Sequence, residues 1–253
     1  INDFSTDATE KNILELTKKD NRVKLFNNRK RGLGGTIEKG LVSSTGEYVT
    51  ILMADSADSI EDLNEYISIM NKDDCDAVFG SRFIPGGKTV DYPFLKLIFN
   101  RLGNNLARIL FLAKYNDFTN SFKIYKKKVI DYFFPIVSED FNIFLELPLK
   151  TISRGFKYKV IPIKYFNRTV GTAKFKIREL GSRYLFTLLY CFLEKILLKK
   201  KNENTFRESS NYFFYFCSYY FNFYYFNLIN KCYKAILFLI KFYKKQKHLS
   251  QIY

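Results

Sequence analysis

The chain has 253 residues and a formal net charge of +16, from 41 Lys and Arg against 25 Asp and Glu. Hydrophobic residues make up 47% of it, which excludes general disorder and supplies a sizeable core. Residues 1–150 hold 21 basic and 21 acidic side chains, whereas residues 151–253 hold 20 and 4. A nucleic-acid-binding domain carries its positive field on the folded body, so nucleic acid is not an expected partner. The four cysteines (Cys75, Cys191, Cys217, Cys232) form no CxxC pair, which argues against a zinc site or disulfide scaffold and fits a reducing setting. The single His248 lies near the C-terminus, which argues against Ser-His-Asp chemistry.

Ile1-Asn-Asp3 reads as the end of a strand entering a loop, so the sequence is expected to lack a first strand. Residues 8–19 have the spacing of a short amphipathic helix, with Thr6 or Asp7 as its cap. Val23–Phe26 reads as a short strand, Gly32, Gly34 and Gly35 as a turn, and residues 36–44 as a helix. Glu47–Met53 is a β-branched run typical of a buried parallel strand. Ile60–Met70 is predicted to be a helix and Ala77–Gly80 a strand. This alternation predicts an α/β fold with a mostly parallel sheet and ligands beyond the carboxyl ends of the strands. Further helices are expected at 94–113 and 143–154, and a strand at Tyr158–Tyr165.

Residues 177–200 have amphipathic helical spacing among basic residues. An interfacial helix and a helix packed on the domain both satisfy that pattern. In the tail, twelve of the sixteen residues 211–226 are Tyr or Phe, but Asn222, Asn227, Asn230, Lys231 and Lys234 interrupt any clean apolar span. A membrane-lying segment and an unstructured extension both fit it. The expected organisation is a domain at 1–176, an amphipathic helix at 177–201 and an aromatic basic tail at 202–253.

Three motifs carry chemistry. Asn2-Asp3-Phe-Ser-Thr-Asp7 puts a carboxylate after a strand end, where it can meet a base or ribose, although such strings also make Asx turns. Met53-Ala-Asp55-Ser-Ala-Asp58 offers oxygen ligands suited to Mg²⁺ or Mn²⁺, although it also suits a helix-capping turn. Gly80-Ser-Arg82 followed by Gly86-Gly87-Lys88 places a basic group and a glycine loop where a diphosphate could bind.

With these motifs in place, the sequence resembles glycosyltransferase family 2, in the branch of dolichol- or polyprenyl-phosphate sugar transferases. The matching stretches are 2–9, 31–46, 49–63, 78–88, 100–108, 117–125, 154–163 and 167–174, and the similarity continues to about Lys195. The resemblance implies a GT-A fold, a nucleotide-sugar donor linked to GDP or UDP, a divalent metal and inverting transfer. It implies that Asp3 contacts the nucleotide, that Asp55 is the second carboxylate of an Asp-x-Asp metal motif, and that Arg82 lies near the phosphates. Lys96 and Asn100 match positions facing the acceptor phosphate, Arg168 and Lys174 match a basic pair in an Arg-x-x-Gly-x-Ser-Lys segment, and Asp117 opens an Asp-Leu-Thr-type stretch.

Two departures stand out. Met53 replaces the first Asp of the metal motif, with Asp58 offered as the second carboxylate. The Pro-x-Tyr-Asn-Glu-type segment expected before Asn2 is not in the sequence. The expected activity is transfer of a sugar to a polyprenyl phosphate in cell-envelope or lipid-linked glycan synthesis. The expected place is the cytoplasmic face of a membrane, held peripherally or by the C-terminal segment. A sugar-hydroxyl acceptor would instead need a carboxylate base, with Asp117, Glu139, Asp140 and Glu146 as candidates. A non-catalytic paralogue that binds only nucleotide or membrane is the third reading.

Overall fold

The computed structural model describes residues 1–28, 32–54, 58–90, 92–166 and 177–197. These lie in the first of two units, Ile1–Lys200. The expected tail at 202–253 falls outside the described residues, as do Arg168, Lys174 and Asp55.

The chain opens with helix α1 (Thr9–Lys19) and helix α2 (Leu33–Ser43). Strand β1 (Tyr48–Thr50), helix α3 (Ile60–Lys72) and strand β2 (Ala77–Ser81) follow. Strand β3 (Lys88–Val90) precedes the long helix α4 (Phe94–Phe111) and strand β4 (Lys123–Lys126). A short helix α5 (Lys127–Ile130) leads through a single 3₁₀ turn towards helix α6 (Ile143–Ser153). Strands β5 (Tyr158–Pro162) and β6 (Lys164–Phe166) and helix α7 (Ile177–Leu197) complete the order.

The main sheet has the order β1-β4-β2-β5. Strand β5 runs parallel to β2, with Phe79 opposite Val160. Strand β4 runs antiparallel to both neighbours, with Val49 opposite Tyr125 and Val78 opposite Ile124. The α/β expectation holds, and three of the four strands point one way. The fourth, β4, was not read from the sequence, because Lys123-Ile-Tyr-Lys126 mixes charge into a short run. The strand expected at Val23–Phe26 reduces to one parallel bridge, Asn2 with Asn27. Strands β3 and β6 form a separate parallel ribbon.

Helix α2 begins at Leu33, so the expected glycine turn is partly helix. The reason is close approach. A Cβ on Gly34 would meet the Ser138 carbonyl oxygen at 2.2 Å. With no side chain there, the Gly34 amide donates to the Glu139 carbonyl at 3.0 Å. Helix α3 starts where Ser59 Oγ accepts the Asp62 amide, and acidic Glu61 and Asp62 in its first turn suit the helix dipole.

The core forms on both faces of β2, all five residues of which are buried. On one face, Tyr66 and Met70 of α3 pack with Val78, Ile124 and Phe122. On the other, the Phe79 ring meets Tyr115, Tyr125 and Tyr158 within 6 Å. Helix α7 packs against α6, burying Thr187, Leu188, Cys191 and Glu194. Arg154 and Glu194 close that contact with a buried ion pair at 2.6 Å. The packed alternative therefore describes this face of the helix.

Burial raises the phenols of Tyr66, Tyr115 and Tyr125 above their ordinary value of 10.0. A phenol whose folded pKa exceeds its unfolded value contributes stability that is complete below the unfolded value and fades above it. The three together cost at most about 4 kcal/mol per pH unit above about pH 10. Urea unfolding should therefore shift to lower midpoints above that pH, with part of the tyrosinate absorbance withheld until the chain unfolds. Ionisation of all nineteen tyrosines in the folded protein near pH 10 would contradict this packing.

Candidate functional site

The site is built where β2 ends. Ser81 is its last residue, and Arg82 emerges directly from it. The Arg82 guanidinium forms a two-pronged pair with Asp117, Nη2 to Oδ1 at 2.6 Å and Nε to Oδ2 at 2.8 Å. The Arg82 amide adds a third bond to Asp117 Oδ2 at 3.0 Å. Both side chains are buried, 6% and 0% exposed. Burial opposes the arginine's charge, but the carboxylate and its hydrogen bonds outweigh it and raise the Arg82 pKa. Rings of Phe83, Tyr92 and Tyr165 stand 5.3–5.6 Å from the guanidinium carbon.

Two of the expected site residues meet here. Asp117 has both oxygens engaged and no exposure, and it holds Arg82 in place. Arg82 commits two of its nitrogens to that carboxylate. It stands as a fixed positive charge boxed by aromatic rings. The glycine turn beyond it closes on itself, since the Gly87 amide donates to the Ile84 carbonyl at 2.8 Å.

The loop carrying Asp117 is stitched to the same strand end. Ser81 Oγ donates to Asn116 Oδ1 at 2.6 Å, and Asn120 Nδ2 donates to the Gly80 carbonyl at 3.1 Å. Beneath the loop, the Lys123 ammonium donates to the carbonyls of Phe118 (3.0 Å), Phe144 (3.3 Å) and Asn120. Burial pushes the Lys123 pKa down to about 7, partly offset by Asp117.

Helix α4 flanks this cluster. Lys96 Nζ lies 5.1 Å from the Tyr92 ring, whose centre is also 5.6 Å from the Arg82 guanidinium carbon. Asn100 was expected to face an acceptor phosphate. Its Nδ2 donates to Thr119 Oγ1 at 2.7 Å, and its Oδ1 accepts from Asn104 at 2.9 Å. Asn100 thus anchors the loop of Asp117. Arg101 reaches inward to the Asn116 carbonyl at 3.1 Å and stacks 4.2 Å over Phe83.

Asp3 stands in a separate latch. Its carboxylate accepts from Asn28 Nδ2 at 3.0 Å and from the Gly32 amide at 3.1 Å. Phe4, the next residue, has φ of 56°, a left-handed conformation costly for a non-glycine residue. Asp3 is half-buried and organises the entry to α2.

Asp58 is half-buried just before Ser59, the cap of α3, and its charge acts on Tyr66 and Lys123. Oxygen donors at 55 and 58 fit a hard divalent ion in chemistry. Among the described residues, no group of three or more His, Cys, Asp or Glu is gathered to hold one. Of the candidate bases, Glu146 is excluded by burial. It accepts the amides of Val137 (3.0 Å) and Ser138 (2.9 Å) and pairs with Lys150 at 2.6 Å. Asp140 accepts the Phe141 amide at 2.9 Å and lies 3.6 Å from Arg183.

Residues 1–134 match the family described as "Glycosyl transferase family 2". The chain belongs to glycosyl transferase family 2. Polyprenol monophosphomannose synthase of Mycolicibacterium smegmatis is 25% identical over 200 residues, covering 72% of this chain and 75% of that protein. Undecaprenyl-phosphate mannosyltransferase of Micrococcus luteus is 26% identical over 156 residues, covering 59% of this chain and 63% of that one. Among solved structures, glucosyl-3-phosphoglycerate synthase of Mycobacterium tuberculosis with UDP is similar at a TM-score of 0.52 and 11% identity. That likeness spans 78% of this chain and 68% of the other. At that identity it shows the fold, here GT-A. The family and its relatives make the chain a glycosyltransferase.

In this family 2 transferase, the fold brings Arg82, Lys96, Asn100 and Asp117 to one strand end. Tyr92, Tyr165, Asn104 and Lys123 join them from positions outside the expected site set. Only Lys123 left a signal, a lone charge inside an otherwise apolar stretch (Phe122, Ile124, Tyr125).

Proposed function

We propose that the chain is an inverting transferase that moves a hexose from a GDP- or UDP-linked donor to a polyprenyl phosphate. The observation that carries this reading is that both relatives above are named for mannose or mannosyl chemistry on a polyprenol or undecaprenyl phosphate. A second observation supports it. Asp117 and Glu146, two of the four carboxylates considered as bases for a hydroxyl acceptor, are committed to buried ion pairs. A lipid phosphate arrives already ionised and needs no such base.

In this reading Asp3 meets the nucleotide, and Lys96 with Arg168 and Lys174 meets the acceptor phosphate. Arg82, fixed by Asp117, supplies preorganised positive potential beside the departing diphosphate. Asp55 and Asp58 would hold Mg²⁺ or Mn²⁺, which when bound would neutralise that diphosphate. Solved structures of the glucosyl-3-phosphoglycerate synthase contain UDP with Mn²⁺ or Mg²⁺, which supports a divalent ion in this fold. The work would take place at the cytoplasmic face of a membrane, within cell-envelope or lipid-linked glycan synthesis.

The test incubates the full chain with radiolabelled GDP- and UDP-hexoses and polyprenyl phosphate, with Mg²⁺ or Mn²⁺ against chelator. Label should enter the organic phase in a metal-dependent way. Label passing only to a polysaccharide would overturn the acceptor assignment. Tight nucleotide binding without transfer would select the non-catalytic reading, which Met53 at the metal motif favours.

A further inference from the structure

Helix α7 does more than cover α6. Its Thr187 is fully buried, and a hydroxyl at a helix–helix contact is costly unless it is bonded. Thr187 Oγ1 accepts from Asn142 Nδ2 at 2.9 Å. It also lies 3.3 Å from Ser138 Oγ, a hydroxyl pair in which either can donate. Ser138 and Asn142 are buried too, and both belong to the segment 137–142 that leads into α6. The same segment is held from a second side. Glu146 takes the amides of Val137 and Ser138, and the Asp140 amide donates to Asn142 Oδ1 at 3.2 Å. Buried polar groups paired in this way fix one arrangement where an apolar contact would tolerate several.

That arrangement is presented to the start of α2. The Glu139 carbonyl accepts the Gly34 amide in the first turn of that helix. The fit leaves no slack, since a Cβ on Gly34 would stand 2.2 Å from the Ser138 carbonyl oxygen. Two residues earlier, the Gly32 amide donates to the Asp3 carboxylate at 3.1 Å. Gly32 has φ of 134°, a conformation open to glycine, so the turn carries little preference of its own. Its direction is set by what holds its two sides: Asp3 on one, and the 137–142 segment on the other.

We propose that Thr187 is a positioning residue for nucleotide binding, which sets from α7 the segment against which the Asp3 latch closes. The inference rests on the reading above that Asp3 meets the nucleotide. Thr187 acts through Ser138, Glu139 and Gly34, so a side chain of α7 governs a turn at the far end of the sequence.

The test uses the full chain and three changes in α7. Thr187→Val keeps the shape and removes the hydroxyl, Thr187→Ser keeps the hydroxyl, and Cys191→Ala trims the same buried helix one turn further along. Amide hydrogen exchange followed by NMR reads the latch without any ligand. In Thr187→Val the Gly34 amide should exchange roughly tenfold faster, the size expected from two lost hydrogen bonds. It should stay near the parent rate in Thr187→Ser and Cys191→Ala. Ser138→Ala removes one of the two bonds from the other side, should move the rate the same way, and serves where Thr187→Val does not fold. Calorimetric titration with GDP and with UDP, each with Mg²⁺, reads the consequence. Thr187→Val should weaken the nucleotide that binds by roughly three- to tenfold, and should add little to the loss in Asp3→Ala.

An unchanged Gly34 rate in Thr187→Val would overturn the proposal. So would an equal rise in Cys191→Ala, which would make the effect a general loosening of α7. Parent affinity in Thr187→Val, while Asp3→Ala binds weakly, would also overturn it. Asp3→Ala binding as the parent does, or neither nucleotide binding at all, would remove the nucleotide reading of Asp3 and the proposal with it. The Gly34 rate tells that failure apart from a failure of the Thr187 contact.

Discussion

Asp117→Asn should lower the stability of the protein by about 3–5 kcal/mol. The reason is asymmetry. Removing one partner of a buried pair leaves the other charge in a low-dielectric site with nothing to answer it. The substituted amide is nearly isosteric with the carboxylate, so no cavity confuses the result. Arg82 would remain 6% exposed, under three aromatic rings and with a neutral amide in front of it. Urea unfolding reads the loss directly. Replacing both partners, as Arg82→Met with Asp117→Leu, should recover much of it, because no orphaned charge is left. A loss below about 1 kcal/mol for Asp117→Asn is the size expected of an exposed pair, and would mean that water reaches this one.

Asp55→Ala should reduce sugar transfer by roughly 10²–10³-fold while leaving the urea midpoint close to the parent value. In the proposed mechanism negative charge grows on the leaving diphosphate, and Asp55 is the carboxylate that would keep a divalent ion beside it. With Met53 at the other motif position, Asp58 is the remaining nearby oxygen donor, so little redundancy protects the site. Nucleotide affinity should become insensitive to chelator in the variant, a change that a purely structural role would not cause. Turnover retained within a few-fold of the parent would remove Asp55 from the mechanism.

The sequence by itself determined the α/β class, the positions of most helices and the family. Those features are written in local pattern. Apolar residues recur at helical spacing in Ile60–Lys72, and a continuous apolar run marks Ala77–Ser81 as an inner strand. The charged motif residues that follow strand ends were legible for the same reason, since a sheet presents those positions to one edge. Arg82 does follow β2 directly, and the fold brings Asp117 against it.

What the sequence could not decide was the direction in which each side chain is spent. Arg82 and Asp117 are 35 residues apart, and only the fold shows that their charges cancel each other. Glu146 has the sequence setting of a possible base, and only the fold buries it against Lys150 and two amides. Strand β4 escaped notice because its pairing partners, β1 and β2, are distant in sequence, and its lysines read as surface residues. Lys123 in fact lies buried among three carbonyls, and a lone charge in an apolar stretch does not say which groups receive it. The same limit applies to α4. Its composition shows an apolar helix with a few cations, and only the tertiary structure shows that Asn104 faces inward while Leu102 and Leu106 face out. A periodic pattern fixes which residues share a face, but the surrounding packing fixes which face meets the core.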